Sequence, residues 1–248
     1  MACSNYALQE SSSILDIFRQ IKYTKEFYKT HPGYFRPDGL IIFEGPQGSG
    51  KTLSAVNYVY NLLNDYPKAL LVSNIELTDY PVDNERSFEF TEAKDLTKYK
   101  NGYYGIIFLI DEIQLYFNSL GSKNIDLGVM TQIAQQRKQR IHIVATSQVF
   151  GRMAKPLREQ FDTVIHCEKK FFGFMQKNSL INRSSITNQE STGTNIQGEV
   201  AHVFRYFKNP KSYLRYDTYK IIENKNLKIE SKGVDLYGTN GSWLSSNS

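Results

Sequence analysis

Five short apolar runs punctuate the chain, at residues 40–43, 69–72, 106–110, 141–145 and 163–166. Each has the length of a strand and lacks the polar alternation of a strand with one wet face, so each predicts a strand covered on both sides. Helical or mixed segments separate the first four. That order predicts a mainly parallel sheet flanked by helices, the plan of an α/β domain. Residues 53–63 read as one such helix, and 124–140 carry another. The polar, mixed stretch 81–100 predicts only a short strand at 88–90. Upstream, Ile14, Leu15, Ile17, Phe18, Ile21 and Tyr28 recur near the helical period after Ser12 and Ser13, which predicts an amphipathic helix ending before His31-Pro32-Gly33.

Past residue 170 the character changes. The aromatic and basic stretch Lys169-Lys170-Phe171-Phe172-Gly173-Phe174 is followed by a polar segment at 178–197 and two β-like runs at 200–207 and 213–222. Residues 224–248 are rich in Asn, Ser, Gly and Lys, with Trp243 as the one anchor, and predict a tail. The expected organisation is an N-terminal helical segment (1–37), a core (38–170), a small β-rich appendage (171–223) and a polar tail (224–248).

Composition narrows the class. A chain of 248 residues, 40% hydrophobic, can bury one sizeable core. It has no run of about 18 apolar residues, and residues 1–10 lack the basic-then-apolar order of a secretory signal, so a soluble, cytoplasmic protein with no membrane segment is expected. Cys3 and Cys167 are isolated and give neither a disulfide framework nor a zinc site; Cys167 reads as a small buried residue ending a strand. Charge is uneven: residues 133–248 hold 18 Lys and Arg against 9 Asp and Glu, out of 30 and 25 in all. Clustered cations of this kind suit a polyanion partner, with a solvated basic face as the alternative.

Candidate chemistry begins directly after the first run. Gly45-Pro46-Gln47-Gly48-Ser49-Gly50-Lys51-Thr52 matches G-x-x-x-x-G-K-[ST] between an expected strand and an expected helix, the context that gives the phosphate-loop (Walker A) motif its meaning. Glycines let backbone N–H groups turn inward around a β-phosphate, and the helix N-terminus adds the positive end of its dipole. Gly45 to Leu53 are therefore the candidate nucleotide-binding residues. Lys51 would bridge β- and γ-oxygens of ATP, and the Thr52 hydroxyl would be a Mg2+ ligand.

The third run ends in Asp111-Glu112, two carboxylates at the C-terminal end of a buried strand, where open α/β sheets place their ligands (Walker B). Asp111 is the candidate metal ligand, and Glu112 the group that polarises the attacking water. A kinase must keep water from the γ-phosphate, so Glu112 favours a hydrolase. The fourth run ends in Thr146-Ser147-Gln148 at the same edge, and Gln148 can bond the γ-phosphate or the water.

In order, the phosphate loop, Asp111-Glu112-Ile113-Gln114, the basic segment Gln136-Arg137-Lys138-Gln139-Arg140 and Thr146-Ser147-Gln148 resemble the FtsK-HerA superfamily over residues 38–170. These are RecA-like P-loop motors that include viral and phage genome-packaging ATPases and the Zot-like proteins of filamentous phages. The resemblance implies a RecA-like core, a homo-oligomeric ring of five or six subunits, and an arginine supplied in trans, for which Arg137, Arg140, Arg152 and Arg158 are the candidates. It also implies a double-stranded DNA translocase, an ATPase that packages a viral genome and engages a capsid portal or other virion protein in the host cytoplasm. The alternative is a Zot-like assembly and export ATPase, a group that generally carries a membrane segment after the ATPase domain. An AAA+ helicase loader ranks lower because Gln148, not Asn, ends the fourth strand, and a nucleotide switch with little turnover is disfavoured by Glu112. For DNA contact the candidates are residues 169–174, Lys177 and Arg183.

Overall fold

The computed structural model describes residues 14–37, 39–78, 86–117, 127–182 and 199–216. In chain order the elements are α1 (Ile14–Thr30), β1 (Gly39–Glu44), α2 (Lys51–Asp65), β2 (Leu70–Ser73), β3 (Ser87–Glu89), α3 (Asp95–Lys98), β4 (Ile106–Ile110), α4 (Leu127–Ala134), α5 (Gln136–Gln139), β5 (Ile141–Ser147), α6 (Lys155–Arg158), β6 (Thr163–Lys170), β7 (Met175–Ile181), β8 (Val200–Phe207) and α7 (Pro210–Tyr213).

Among the described residues, eight strands join one sheet in the order β3-β2-β4-β5-β1-β6-β7-β8. The six from β3 to β6 are parallel, and β7 and β8 extend the edge in antiparallel fashion. This is the mainly parallel, helix-flanked sheet of a RecA-like P-loop domain. The β-rich segment after residue 170 is present as β7 and β8, which continue the main sheet and form no sheet of their own.

Strand alternation splits the core between the two faces. Ile106, Phe108 and Ile110 of β4 pack with Ile141 and Ile143 of β5, Val129 and Ile133 of α4, and Leu157 and Phe161 on one side. Ile107 and Leu109 pack with Val144, Cys167 and the inner face of α2, Leu53, Val56, Val59 and Leu63, on the other. The central strands are mostly apolar because both of their faces are buried, and the polar residues Glu44, Thr146 and Ser147 gather at the C-terminal ends of β1 and β5.

Several local expectations need correction. Residues Met175–Ile181 form β7, although 178 onward reads as a polar segment; Gln176, Asn178 and Ser179 are buried. Tyr213 ends the helical turn α7, because the Asn209 side chain accepts from the Lys211 amide and Pro210 opens the turn, so the β-like run at 213–222 does not begin there. Cys167 lies inside β6, which runs on to Lys170. Of the apolar stripe of α1, Phe18 and Ile21 are exposed, while Tyr28 meets the Tyr34 ring and lies under the Arg36 guanidinium. Ser12, Ser13, Arg183, residues 217–222 and the tail with Trp243 lie outside the described residues.

Candidate nucleotide site

Between Glu44 and Lys51 the chain turns through Gly45, Gly48 and Gly50 at φ of 147°, 73° and 92°, left-handed values that glycine tolerates. Gly50 requires glycine for space as well: a Cβ there would fall 2.2 Å from Gln176 Oε1. Gly50 caps α2 without a side-chain bond, which leaves the first-turn N–H groups free for an anion. Pro46, Gln47 and Gly48 form the exposed crest of the loop and Ser49 is buried. Lys51 is 5% exposed, and its Nζ donates to the Pro46 carbonyl at 3.2 Å. The Leu53 side chain is buried in the core, so only its backbone can face a ligand.

β5 lies between β1 and β4, so Asp111 and Glu112 approach the loop from one strand away. Asp111 Oδ1 accepts from the Thr52 hydroxyl at 2.9 Å and the Thr146 hydroxyl at 2.6 Å. Burial holds the Asp111 carboxyl above the usual carboxylate range; the two hydroxyls oppose this, the Glu112 charge adds to it and Lys51 offsets it. A carboxylate and a hydroxyl brought together at a phosphate loop are hard oxygen donors, the set that fits Mg2+.

Glu112 has left-handed backbone angles (φ 51°, ψ 53°), a conformation that costs a non-glycine residue about 1–2 kcal/mol. Its amide donates to Thr146 Oγ1 at 3.0 Å. Its carboxylate accepts from Gln148 Nε2 at 3.1 Å and from Gln114 Nε2, and Oε1 lies 4.0 Å from Lys51 Nζ. Lys51, Thr52, Asp111, Glu112 and Gln148 thus meet in one cluster, held by Thr146.

Sequence reasoning missed the residues that position this cluster. Asn74, just past β2, bonds the Asp111 main chain at both its N–H and its C=O, and also donates to the Tyr116 hydroxyl at 3.2 Å. Gln176 Nε2 of β7 donates to the Ser49 carbonyl at 3.0 Å and to Asn178 Oδ1 at 3.1 Å, while Asn178 and the Tyr206 hydroxyl bond Ser54 of α2. Glu44, the last residue before the loop, is 2% exposed and pairs with His166 Nδ1 at 2.5 Å. For Glu44 and Asn74 the only available signal was position, a polar residue at the C-terminal end of a strand; Gln176 and Asn178 carried none.

Of the four candidate arginines, Arg137 and Arg140 lie away from this cluster. Arg140 donates to the Tyr34 hydroxyl at 2.7 Å, stacks its guanidinium over that ring and reaches the Gly102 carbonyl, all before β5 at the opposite sheet edge. Arg137, 67% exposed, lies 3.9 Å from Asp162 at that same edge. Arg158 ends α6 half-buried, on the crossover returning to β6, and the backbone of Arg152 ends the turn after β5. Lys169 and Lys177 lie on β6 and β7, and Phe171, Phe172 and Phe174 expose their rings at the turn between them. Among the described residues no group of three or more His, Cys, Asp or Glu is poised to hold a metal, and no helix is long and apolar enough to cross a membrane.

The model of the family described as zonular occludens toxin (Zot) matches residues 39–240. Among solved structures, the N-terminal domain of zonular occludens toxin from Neisseria meningitidis is 19% identical, covers 73% of this chain and 100% of its own, and superposes with a TM-score of 0.50. The genome-packaging NTPase B204 from Sulfolobus turreted icosahedral virus 2 is 10% identical over 58% of this chain and 92% of its own, with a TM-score of 0.45. For the flagellar accessory protein FlaH from Methanocaldococcus jannaschii the values are 15%, 63%, 82% and 0.43. No curated protein matches the sequence.

Proposed function

The chain belongs to the zonular occludens toxin (Zot) family, and from that membership and the phosphate-loop cluster we propose that it is an ATPase that drives phage assembly and export. The observation that carries hydrolysis is Glu112, held by Gln114 and Gln148 with Oε1 4.0 Å from the buried Lys51. A carboxylate fixed there can accept a hydrogen bond from a water aligned on the γ-phosphate.

The geometry supports the following roles. Backbone N–H groups of Gln47, Gly48, Gly50, Lys51 and Thr52 cradle the β-phosphate, and Lys51 leaves the Pro46 carbonyl to bridge β- and γ-oxygens. Thr52 and Asp111 would hold Mg2+, which would supply charge neutralisation for phosphoryl transfer. Gln148 keeps Glu112 aimed and exchanges that bond when the γ-phosphate departs. Arg140 is committed within its own subunit, so Arg137, Arg152 and Arg158 are the better candidates for a trans arginine in a homo-oligomeric ring, a contribution of about 10³–10⁵ in rate where such arginines operate.

A second reading, translocation and packaging of double-stranded DNA, draws on the basic edge formed by Lys169, Lys170, Lys177, Arg205 and Lys208 on β6, β7, β8 and just beyond. Phosphate release measured with and without duplex DNA, at several salt concentrations and beside Lys51→Ala and Glu112→Gln, separates the two. Turnover that both substitutions abolish and DNA leaves unchanged supports the export ATPase. Stimulation by DNA that fades with salt moves the translocase to first place. Absence of ATP turnover in the assembled wild-type protein rejects both.

A further inference from the structure

We infer that the arm built from β6 and β7 is the second wall of the nucleotide site, with Lys169 facing the α-phosphate and the aromatic turn at residues 171–174 covering the base. The inference rests on the ATP-binding role proposed above and adds to it the nucleoside end, which the Walker residues leave unassigned.

The arm rises beside the phosphate loop. In the parallel ladder between β1 and β6, His166 stands opposite Glu44, the last residue of β1, yet β6 runs on to Lys170. Those four further residues carry the strand about 13 Å past the ligand-facing edge. Alternation assigns the faces. Cys167 and Lys169 stand opposite Asn178 and Gln176 in the antiparallel ladder. Asn178 reaches Ser54 in α2 and Gln176 reaches Ser49, so this face looks onto the loop. A Cβ placed on Gly48, at the exposed crest, would lie 3.9 Å from Lys169 Nζ.

Lys169 is available for a ligand. Glu168, the nearest acid on its strand, points to the other face and pairs with Lys177 at 2.7 Å and Lys170 at 3.6 Å. Lys169 makes no ion pair or hydrogen bond among the described residues. Lys208 follows Tyr206 on the same face, and burial together with the Lys169 charge lowers its pKa. Two ammonium groups crowded on one face beside a phosphate loop are relieved by an anion.

Direction comes from Glu112 and Gln148, which fix the γ end on the β4 and β5 side of β1. A triphosphate laid along the loop from there must run toward β6, across Gly48 and under Lys169. Beyond Lys169 the turn presents Phe171, Phe172 and Phe174, which are 72%, 101% and 72% exposed. Phe171 and Phe172 hold φ of 52° and 50°, left-handed values unusual for aromatic residues and of the kind that concentrate at ligand clamps. Exposed rings next to a cation are a platform for a base.

The test is equilibrium titration of the full chain with ATP, ADP and inorganic tripolyphosphate in Mg2+. It compares wild type with Lys51→Ala, Lys169→Ala, Lys169→Arg and the triple substitution Phe171→Ala, Phe172→Ala, Phe174→Ala, each checked for an unchanged melting transition. Lys169→Ala should weaken ATP and ADP alike by about tenfold, and Lys169→Arg should recover most of the loss. The triple substitution should weaken both nucleotides by on the order of tenfold and leave tripolyphosphate unchanged. Wild-type nucleotide affinity in both alanine variants overturns the inference, and if they lose only DNA-stimulated turnover the arm belongs to a nucleic-acid surface. Wild-type ATP affinity in Lys51→Ala overturns instead the phosphate-loop role on which the inference stands.

Discussion

The Asn74 side chain closes a two-point hydrogen-bonded ring on the main chain of Asp111: Oδ1 accepts from the Asp111 amide at 2.8 Å, and Nδ2 donates to the Asp111 carbonyl at 2.9 Å. The carboxamide matches a peptide edge, so it continues the ladder of β2 and β4 one step past the last strand bond. That step fixes where β4 ends, and with it the direction of Asp111 and the left-handed turn at Glu112. Asn74→Ala removes both bonds without touching a ligand. We expect turnover to fall about 10–100-fold, the range for residues that orient metal ligands, while ATP still binds. Asn74→Asp, which keeps the acceptor but not the donor, should fall between. Comparing kcat with nucleotide affinity checks this.

Gln176 couples the edge strands to the phosphate loop, since its carboxamide bridges the Ser49 carbonyl and Asn178 where no water reaches. Gln176→Leu is similar in volume, leaves the Ser49 carbonyl unpaired and removes one of the two bonds that Asn178 Oδ1 accepts. The expected cost is about 1–3 kcal/mol in chemical denaturation, together with weaker nucleotide binding. Gly50→Ala should be worse, because a left-handed φ and the Gln176 side chain both oppose the methyl group.

The Glu44–His166 pair gives a pH dependence of defined sign. The bond to Glu44 raises the His166 pKa above its ordinary value; burial and Lys177 oppose this, and Glu168 adds to it. A raised folded-state value means the stabilisation is fully present below the unfolded pKa, about 6.5, and is lost as pH rises through the folded one. The melting temperature should therefore carry a component that declines as pH rises above about 6.5. His166→Gln should remove that component, which paired melting curves will detect.

The chemistry was more legible in the sequence than its supports. Lys51, Thr52, Asp111 and Glu112 announce themselves through fixed spacing and a buried strand, and the five apolar runs became β1, β2, β4, β5 and β6. β7 escaped because its inward face is polar: Gln176 and Asn178 meet the phosphate loop and Ser54, not aliphatic side chains, so hydrophobic alternation is missing where the strand is most buried. Asn74 and Thr146 are single polar residues at strand ends, indistinguishable along the chain from loop residues until the sheet aligns those ends. Arg140 read as one of four candidates for a trans arginine, and only tertiary structure brings Tyr34 against it. The turn at 171–174 could equally have packed as core, and its rings turned out exposed.

The most direct test of the central claim is a single-turnover comparison of wild type and Glu112→Gln with Mg2+ and ATP, reading bound nucleotide and released phosphate in the same sample. Glutamine keeps the size and the place beside Gln148 and Lys51 but cannot take a proton from water. ATP bound near wild-type affinity, with phosphate release slowed at least about 100-fold, is the expected result and assigns the water to Glu112. Phosphate released at the wild-type rate by Glu112→Gln would contradict it and leave the cluster as a nucleotide-binding site with its hydrolytic group elsewhere.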